Sequence, residues 1–229
     1  MPEADSPEIE ARSADRVVVF SDAVVAIAIT LLALDLPVPH PSDDSNRAML
    51  DALRHNWPSY FAFLISFVVI SGHWGSHRAL FRYVNRINDR VIGTNMIWLL
   101  MMVVTPFAAR TLAGSGGFGV RFALYALVQI VASACLVRLG NELAQDHLLR
   151  DDAPESAKHP NNLARYATIA SFVVSIPVAF VSPWAYAIWA AGPAAAARYL
   201  RLRDSGARAV RTAVRRRNGR RPGDGADPG

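Results

Sequence analysis

The sequence predicts an all-α, polytopic integral membrane protein with six transmembrane helices. Hydrophobic residues make up 52% of its 229 residues, and they are strongly clustered along the sequence. Soluble domains rarely combine so large a hydrophobic share with such clustering. The apolar residues fall in runs of about 20, the length that a helix needs to cross the hydrocarbon core. The basic residues are concentrated in alternate connections, as expected when one set of loops faces the cytoplasm.

Six segments are apolar enough to span a membrane, and turn-forming residues separate most of them. The first 15 residues hold five acids and one arginine, which is the wrong charge for a signal peptide. We therefore expect the first helix to be retained. The six predicted spans are Arg16–Leu36, Trp57–Gly75, Val91–Leu112, Phe118–Leu139, Leu163–Val181 and Pro183–Leu200.

The distribution of arginine and lysine predicts the orientation. Twenty of the 24 basic residues fall on one side of the predicted spans, so the positive-inside rule places both termini in the cytoplasm and the protein in the plasma membrane. We divide the chain into an acidic N-terminus (residues 1–15), a six-helix transmembrane domain (16–200) and a basic cytoplasmic tail (201–229).

The basic tail is rich in arginine, glycine and proline and has no apolar periodicity, which predicts disorder. Two interpretations of its charge remain open. The tail binds anionic lipid headgroups, or it enforces topology and solubility. Nucleic-acid binding is not expected, because no aromatic residues are interleaved with the arginines.

The first span carries a carboxylate, Asp22, which is costly inside a membrane and requires a polar partner or water. At 100° per residue, neither Asp22 nor Ser21 lies on the face that is richest in small and branched side chains. Two interpretations of that face remain open from the residues alone: packing against another helix, or a pore lined by apolar side chains. Its members are Ala23, Ile27, Thr30, Leu31 and Leu34.

The motif Arg-x-x-x-Phe-Ser-Asp that begins at Arg16, followed by Ala-Ile-x-x-Thr-Leu-Leu, resembles the first-helix signature of the endosomal/lysosomal potassium channel family (transmembrane protein 175 type), in its prokaryotic single-repeat form. The resemblance implies a homotetramer with helix one of each subunit lining a central pore, and passive conduction that favours K⁺ without a Thr-Val-Gly-Tyr-Gly filter. By position in the motif, it makes Ile27, Leu31 and Leu34 the hydrophobic constriction and Thr30 the neighbouring residue associated with selectivity.

The resemblance extends to Phe107 and covers about half of the chain. Family members similarly carry a Trp-x-x-His-x-x-x-Phe pattern after helix two, an acid before helix three, and an asparagine and Pro-Phe within it. Polar residues of these motifs lie at the same end as the start of helix one. We therefore predict a structural polar network that holds helix one against helices two and three, formed by Arg16, Ser21, Asp22, Trp74, His77, Asp89 and Asn95.

The leading hypothesis is a potassium-favouring cation channel with K⁺ as the permeant ion. The alternative is a small-solute or ion secondary transporter, which would have inverted repeats and broken helices. An enzyme is not expected, because the spans contain no paired catalytic acids and no nucleophile with a base. We expect no cofactor and no metal site, since His73 and His77 lack further ligands. The glycine-rich segment 114–119 is interpreted as a flexible external turn.

Overall fold

The computed structural model describes residues 7–146, 148–158, 162–182 and 184–189, which form helices joined by loops and one isolated β-bridge. Residues 185–189 are helical as well. The helices are α1 (Pro7–Leu34), α2 (Asn46–His55), α3 (Trp57–Phe81), α4 (Asp89–Ala113), α5 (Phe118–Gln145), the four-residue α6 (Glu155–Lys158) and α7 (Leu163–Ala179).

Four helices are long and apolar enough to cross a membrane: residues 12–34 of α1 and the whole of α3, α4 and α5. They confirm the first four predicted spans. The fifth predicted span is α7, an apolar helix of 17 residues, about 25 Å long at 1.5 Å per residue. The sixth, Pro183–Leu200, lies outside the described residues except for positions 184–189, and so does the basic tail.

Three helical segments were not predicted. Helix α1 begins at Pro7, inside the segment that we assigned to the N-terminus, α2 occupies what we took for a simple connection, and the four-residue α6 precedes α7. Ser45 starts α2, because its Oγ accepts a hydrogen bond from the Ala48 amide at 3.1 Å. The Ser45 amide donates to Asp43 at 2.8 Å. Hydrogen bonding from the Ser45 side chain and backbone lowers the pKa of Asp43.

The core lies around α4 and α5, which pack against each other. Helices α1 and α3 also contact α4, and α7 packs on α5. The largest fully buried side chains include Trp98 and Met102 of α4 and Phe122 and Tyr125 of α5. Apolar spans with buried faces of this kind associate through close packing, because lipid supplies no hydrophobic force between helices.

Contacts between helix ends fix the up-and-down order of the spans. At one end, the α3–α4 loop pairs with the segment after α5 through the Val84–Leu149 bridge. At the other end, an ion pair joins Arg110 of α4 to Asp35, just after α1. We call the first end the arginine-rich end, because it carries Arg78, Arg82, Arg86, Arg90, Arg138 and Arg165.

The glycine-rich segment is the turn between α4 and α5, as predicted. Gly116 has a φ of 100°, a conformation that costs glycine little. Gly119 lies within α5 and serves a different purpose, since a Cβ at this position would lie 2.6 Å from Cδ1 of Phe180. Arg121 closes the turn by donating to the carbonyl of Leu112 at 2.7 Å.

Candidate functional site

Helix α1 has two faces that differ in exposure. The face toward the rest of the chain holds Ser21, Val25, Ala28 and Leu32, each at most 4% exposed. The other face holds the predicted constriction residues, Ile27, Leu31 and Leu34, which are 58%, 39% and 79% exposed. The helices that the structure describes therefore leave this stripe uncovered.

Thr30 also lies on the exposed face of α1. Its Oγ1 donates a hydrogen bond to the backbone carbonyl of Ile27 at 2.8 Å, an arrangement that is common for threonine in helices. The hydroxyl proton is thereby used within the helix. The oxygen lone pairs remain available beside the apolar side chains of the stripe.

A buried hydrogen-bond chain joins three helices behind this stripe. His77 of α3 and the Asn95 Oδ1 of α4 lie 2.9 Å apart. The Asn95 amide donates to Ser21 of α1 at 3.0 Å, and Ser21 donates to the Val17 carbonyl at 2.7 Å. Because Asn95 Oδ1 only accepts, His77 Nε2 carries the proton. All three side chains are fully buried, so the chain fixes α1 against α3 and α4.

Aromatic packing fixes the ring of His77. The imidazole stacks on Trp98 with ring centroids 4.3 Å apart and an interplanar angle of 9°. Phe81 stacks on the histidine at the same centroid distance. The ring is thus sandwiched between two aromatic side chains, and its Nε2 is directed at Asn95 by packing as well as by hydrogen bonding.

A second contact holds α1 to α3 near the buried chain. The Trp74 Nε1–H donates to the half-buried carboxylate of Asp22 at 2.9 Å. The guanidinium of Arg78 lies 5.5 Å from the centroid of the Trp74 ring, within cation–π range. Arg78 was not among our predicted network residues, although its position four residues after Trp74 places both on one helical face.

The structure does not bring two of the predicted network residues to the others. Arg16 is exposed at the start of the membrane-spanning part of α1, and Asp89 is exposed at the first position of α4. Asp89 follows the helix cap Asn88, whose side chain accepts from the Val91 amide at 2.9 Å. A carboxylate at a helix N-terminus interacts favourably with the helix dipole, which explains its outward position.

Sequence reasoning missed other polar contacts between α3, α4 and α5. Ser66 donates to the Tyr125 hydroxyl at 3.2 Å, and Gln129 donates to Thr105 at 3.3 Å. A lone glutamine within an apolar span indicates that its side chain has a polar partner, but the sequence does not identify which residue that partner is. Within the described ranges, no group of three or more His, Cys, Asp or Glu side chains is placed to hold a metal ion.

Known proteins are similar to the part of the chain that holds this site. Residues 16–106 match the family model described as endosomal/lysosomal potassium channel TMEM175. A potassium channel from Streptomyces collinus is 32% identical over 172 residues, which make up 73% of this chain and 82% of the relative. The endosomal/lysosomal proton channel TMEM175 from Homo sapiens is 37% identical over 105 residues, 43% of this chain and 21% of the relative.

A solved structure agrees with the fold. The crystal structure of a lysosomal potassium-selective channel TMEM175 homolog from Chamaesiphon minutus superposes with a TM-score of 0.69 at 26% identity, covering 82% of this chain and 98% of that one. The family match contains the exposed stripe of α1 and both polar contacts behind it, and the Streptomyces relative aligns over most of its own length. The chain therefore belongs to the endosomal/lysosomal potassium channel TMEM175 family.

Proposed function

We propose that the chain is a passive, K⁺-favouring cation channel in which α1 of each subunit lines a central pore of a homotetramer. The observation that carries this proposal is the exposed stripe of Ile27, Leu31 and Leu34 on a helix that is held from its opposite face. Family membership supports a channel rather than an enzyme.

The named ions of the relatives favour K⁺ as the permeant ion. The relative from Streptomyces collinus, which aligns over most of this chain, is named a potassium channel. The vertebrate relatives named proton channels align over less than half of it, for example 43% for the human protein. We therefore propose K⁺ as the permeant ion and include a measurement of proton flux in the test.

The proposed mechanism is a hydrophobic constriction. Apolar side chains in a narrow pore exclude water, and conduction requires the pore to wet. Thr30 would place a hydroxyl oxygen next to this constriction, where it can replace part of the hydration of a passing cation. The polar contacts to Ser21 and Asp22 would prevent α1 from rotating, since a shift of one residue turns the stripe by 100°.

We propose that the arginine-rich end faces the cytoplasm, which places both termini there in a six-span chain of the plasma membrane. The clustering of six arginines at that end of the described bundle supports this orientation. The division into an N-terminus (1–15), a channel domain (16–200) and a basic tail (201–229) that binds anionic lipid belongs to the same proposal.

The test compares two adjacent leucines on opposite faces of α1. Purified protein is reconstituted in liposomes with a K⁺ gradient and a protonophore, and flux is measured for wild type, Leu31→Ala and Leu32→Ala. Leu31 is 39% exposed and Leu32 is 4% exposed. We expect Leu31→Ala to raise flux severalfold without loss of stability. We expect Leu32→Ala to lower the free energy of unfolding by about 2 kcal/mol, with little change in flux per folded tetramer.

Two outcomes would contradict the proposal. One is an absence of K⁺ flux from folded tetramers across a range of pH and voltage. The other is a flux that Leu32→Ala changes and Leu31→Ala does not, which would place the pore elsewhere. Repeating the assay with a pH gradient and no protonophore distinguishes proton flux from K⁺ flux.

A further inference from the structure

A cavity unrelated to the α1 stripe lies between α3, α5, α7 and the helical segment 185–189. Its volume is about 600 Å³, within the range of small-molecule and lipid sites. Two of the α3 residues that line it, Leu64 and Val68, are 51% and 68% exposed. The cavity therefore opens sideways from the described bundle, at the depth of the membrane. We call it the lateral groove.

The two ends of the lateral groove differ in chemistry. Leu64, Val68 and Phe172 line the part that lies within the membrane. Ser76 and Arg165 line the part at the arginine-rich end, and Arg165 is the one charged residue among the described residues of the lining. A site with a long apolar wall and a single cation at its mouth fits an anionic amphiphile.

The length of the groove fits one acyl chain. Leu64 and Ser76 are twelve residues apart on α3, which corresponds to about 18 Å at 1.5 Å per residue. Half of a hydrocarbon core of about 30 Å is about 15 Å. A ligand with its headgroup at Arg165 would thus reach the middle of the membrane with its chain.

Two features keep the mouth of the groove in place. Arg165 donates to the Asn162 side chain at 2.7 Å, which uses one of the five donors of its guanidinium. Nη1 of Arg165 also lies against α5 at Gly140, where a Cβ would stand 3.5 Å from it, the distance of an ordinary van der Waals contact. Further donors of the same guanidinium can bind a phosphate oxygen.

We propose that the lateral groove binds one acyl chain of an anionic phospholipid from the leaflet at the arginine-rich end, with Arg165 contacting the phosphate. The charge of Arg165 and the length of the groove support this occupant. The proposal does not depend on the ion pathway along α1.

Native mass spectrometry of the full-length protein in detergent tests the charge requirement. The probes are dioleoyl phosphatidylglycerol and dioleoyl phosphatidylcholine. We expect Arg165→Gln to lower the preference for phosphatidylglycerol over phosphatidylcholine about fivefold, the effect of one basic residue near a membrane surface. Arg165→Lys retains most of the wild-type preference. The control Arg82→Gln, an exposed arginine at the same end but outside the groove, leaves the preference unchanged.

A second pair of variants tests the location. A Cβ added at Gly72, which lines the groove, meets nothing within 4 Å, and the same holds for a Cβ at Gly75, which does not line it. Gly72→Phe should fill the groove and lower binding of both lipids at least fivefold. Gly75→Phe should leave binding intact.

Three results would overturn the proposal. If Arg82→Gln weakens binding as much as Arg165→Gln, the lipid binds through general charge. If glycerol 3-phosphate displaces the lipid, the headgroup alone is recognised. If Gly72→Phe lowers thermal stability while phosphatidylglycerol binding persists, the chain after Trp189 fills the groove itself.

Discussion

At the scale of single residues, Asn95 has the largest role in the buried hydrogen-bond chain. It accepts from His77 and donates to Ser21, so it is the one member that contacts two other helices. If Asn95 is removed, no water inside the membrane can take its place as the partner of His77 or Ser21, and an unpaired polar group there is costly. Replacing Asn95 should therefore lower the stability more than replacing His77 or Ser21.

We expect Asn95→Ala to lower the free energy of unfolding by about 1–3 kcal/mol, because two interhelical hydrogen bonds are lost and two partners stay buried. Thermal unfolding in detergent measures the change. Asn85→Ala is the matched control, since Asn85 is half-buried and bonds to Leu148 through its backbone amide. An equal effect of the two substitutions would show that the buried chain does not hold α1.

The Asp22–Trp74 contact should behave as a coupled pair. Trp74→Phe removes the indole donor but keeps an aromatic face for Arg78, and Asp22→Ala removes the acceptor. A double-mutant cycle on the free energy of unfolding should give a coupling of about 1–2 kcal/mol, since the hydrogen bond is half-buried. Additive effects would indicate that Asp22 has another principal partner, such as a neighbouring subunit.

At the scale of elements, the first four membrane spans were predictable because length and hydropathy are strict requirements of the bilayer. The helical period of α1, which is a property of the sequence alone, also separated the exposed stripe from Ser21 and Asp22. The outward positions of Arg16 and Asp89 were not predictable. Both residues lie at the same end of the spans as Ser21 and Asp22, but a shared position along the membrane normal does not determine the direction in which a side chain points. Helix α2 was missed, since ten residues with mixed charge carry no membrane signal and its cap at Ser45 is a short-range feature.

The contact between α5 and the end of α7 depends on a missing side chain. We expect Gly119→Ala to lower the free energy of unfolding by about 1–3 kcal/mol, because the added Cβ would overlap the Phe180 ring. Gly93→Ala in α4 is the control, since a Cβ there meets nothing within 4 Å and alanine favours helix. If Gly119→Ala is as stable as Gly93→Ala in thermal unfolding, Phe180 moves aside at no cost.

At the scale of the whole molecule, the described part of a single chain leaves apolar surface on α1 and on α5, for example at Val120, which is 67% exposed. Lipid and a neighbouring subunit both cover such surfaces in membrane proteins, and exposure alone does not distinguish them. Hydropathy could not distinguish them either, because both surfaces present branched apolar side chains. The proposed tetramer makes a distinction: α1 faces the other subunits and Val120 faces lipid.

Cysteine cross-linking separates these two surfaces, because the chain has one cysteine, Cys135, which is replaced by serine in the background variant. We expect Leu31→Cys to give dimers on denaturing gels with a short bis-maleimide, since α1 helices around one axis bring equivalent residues together. Val120→Cys is the control and should remain monomeric. Dimers from Val120→Cys without dimers from Leu31→Cys would contradict the proposal, because they would place α5, and not the α1 stripe, where subunits meet.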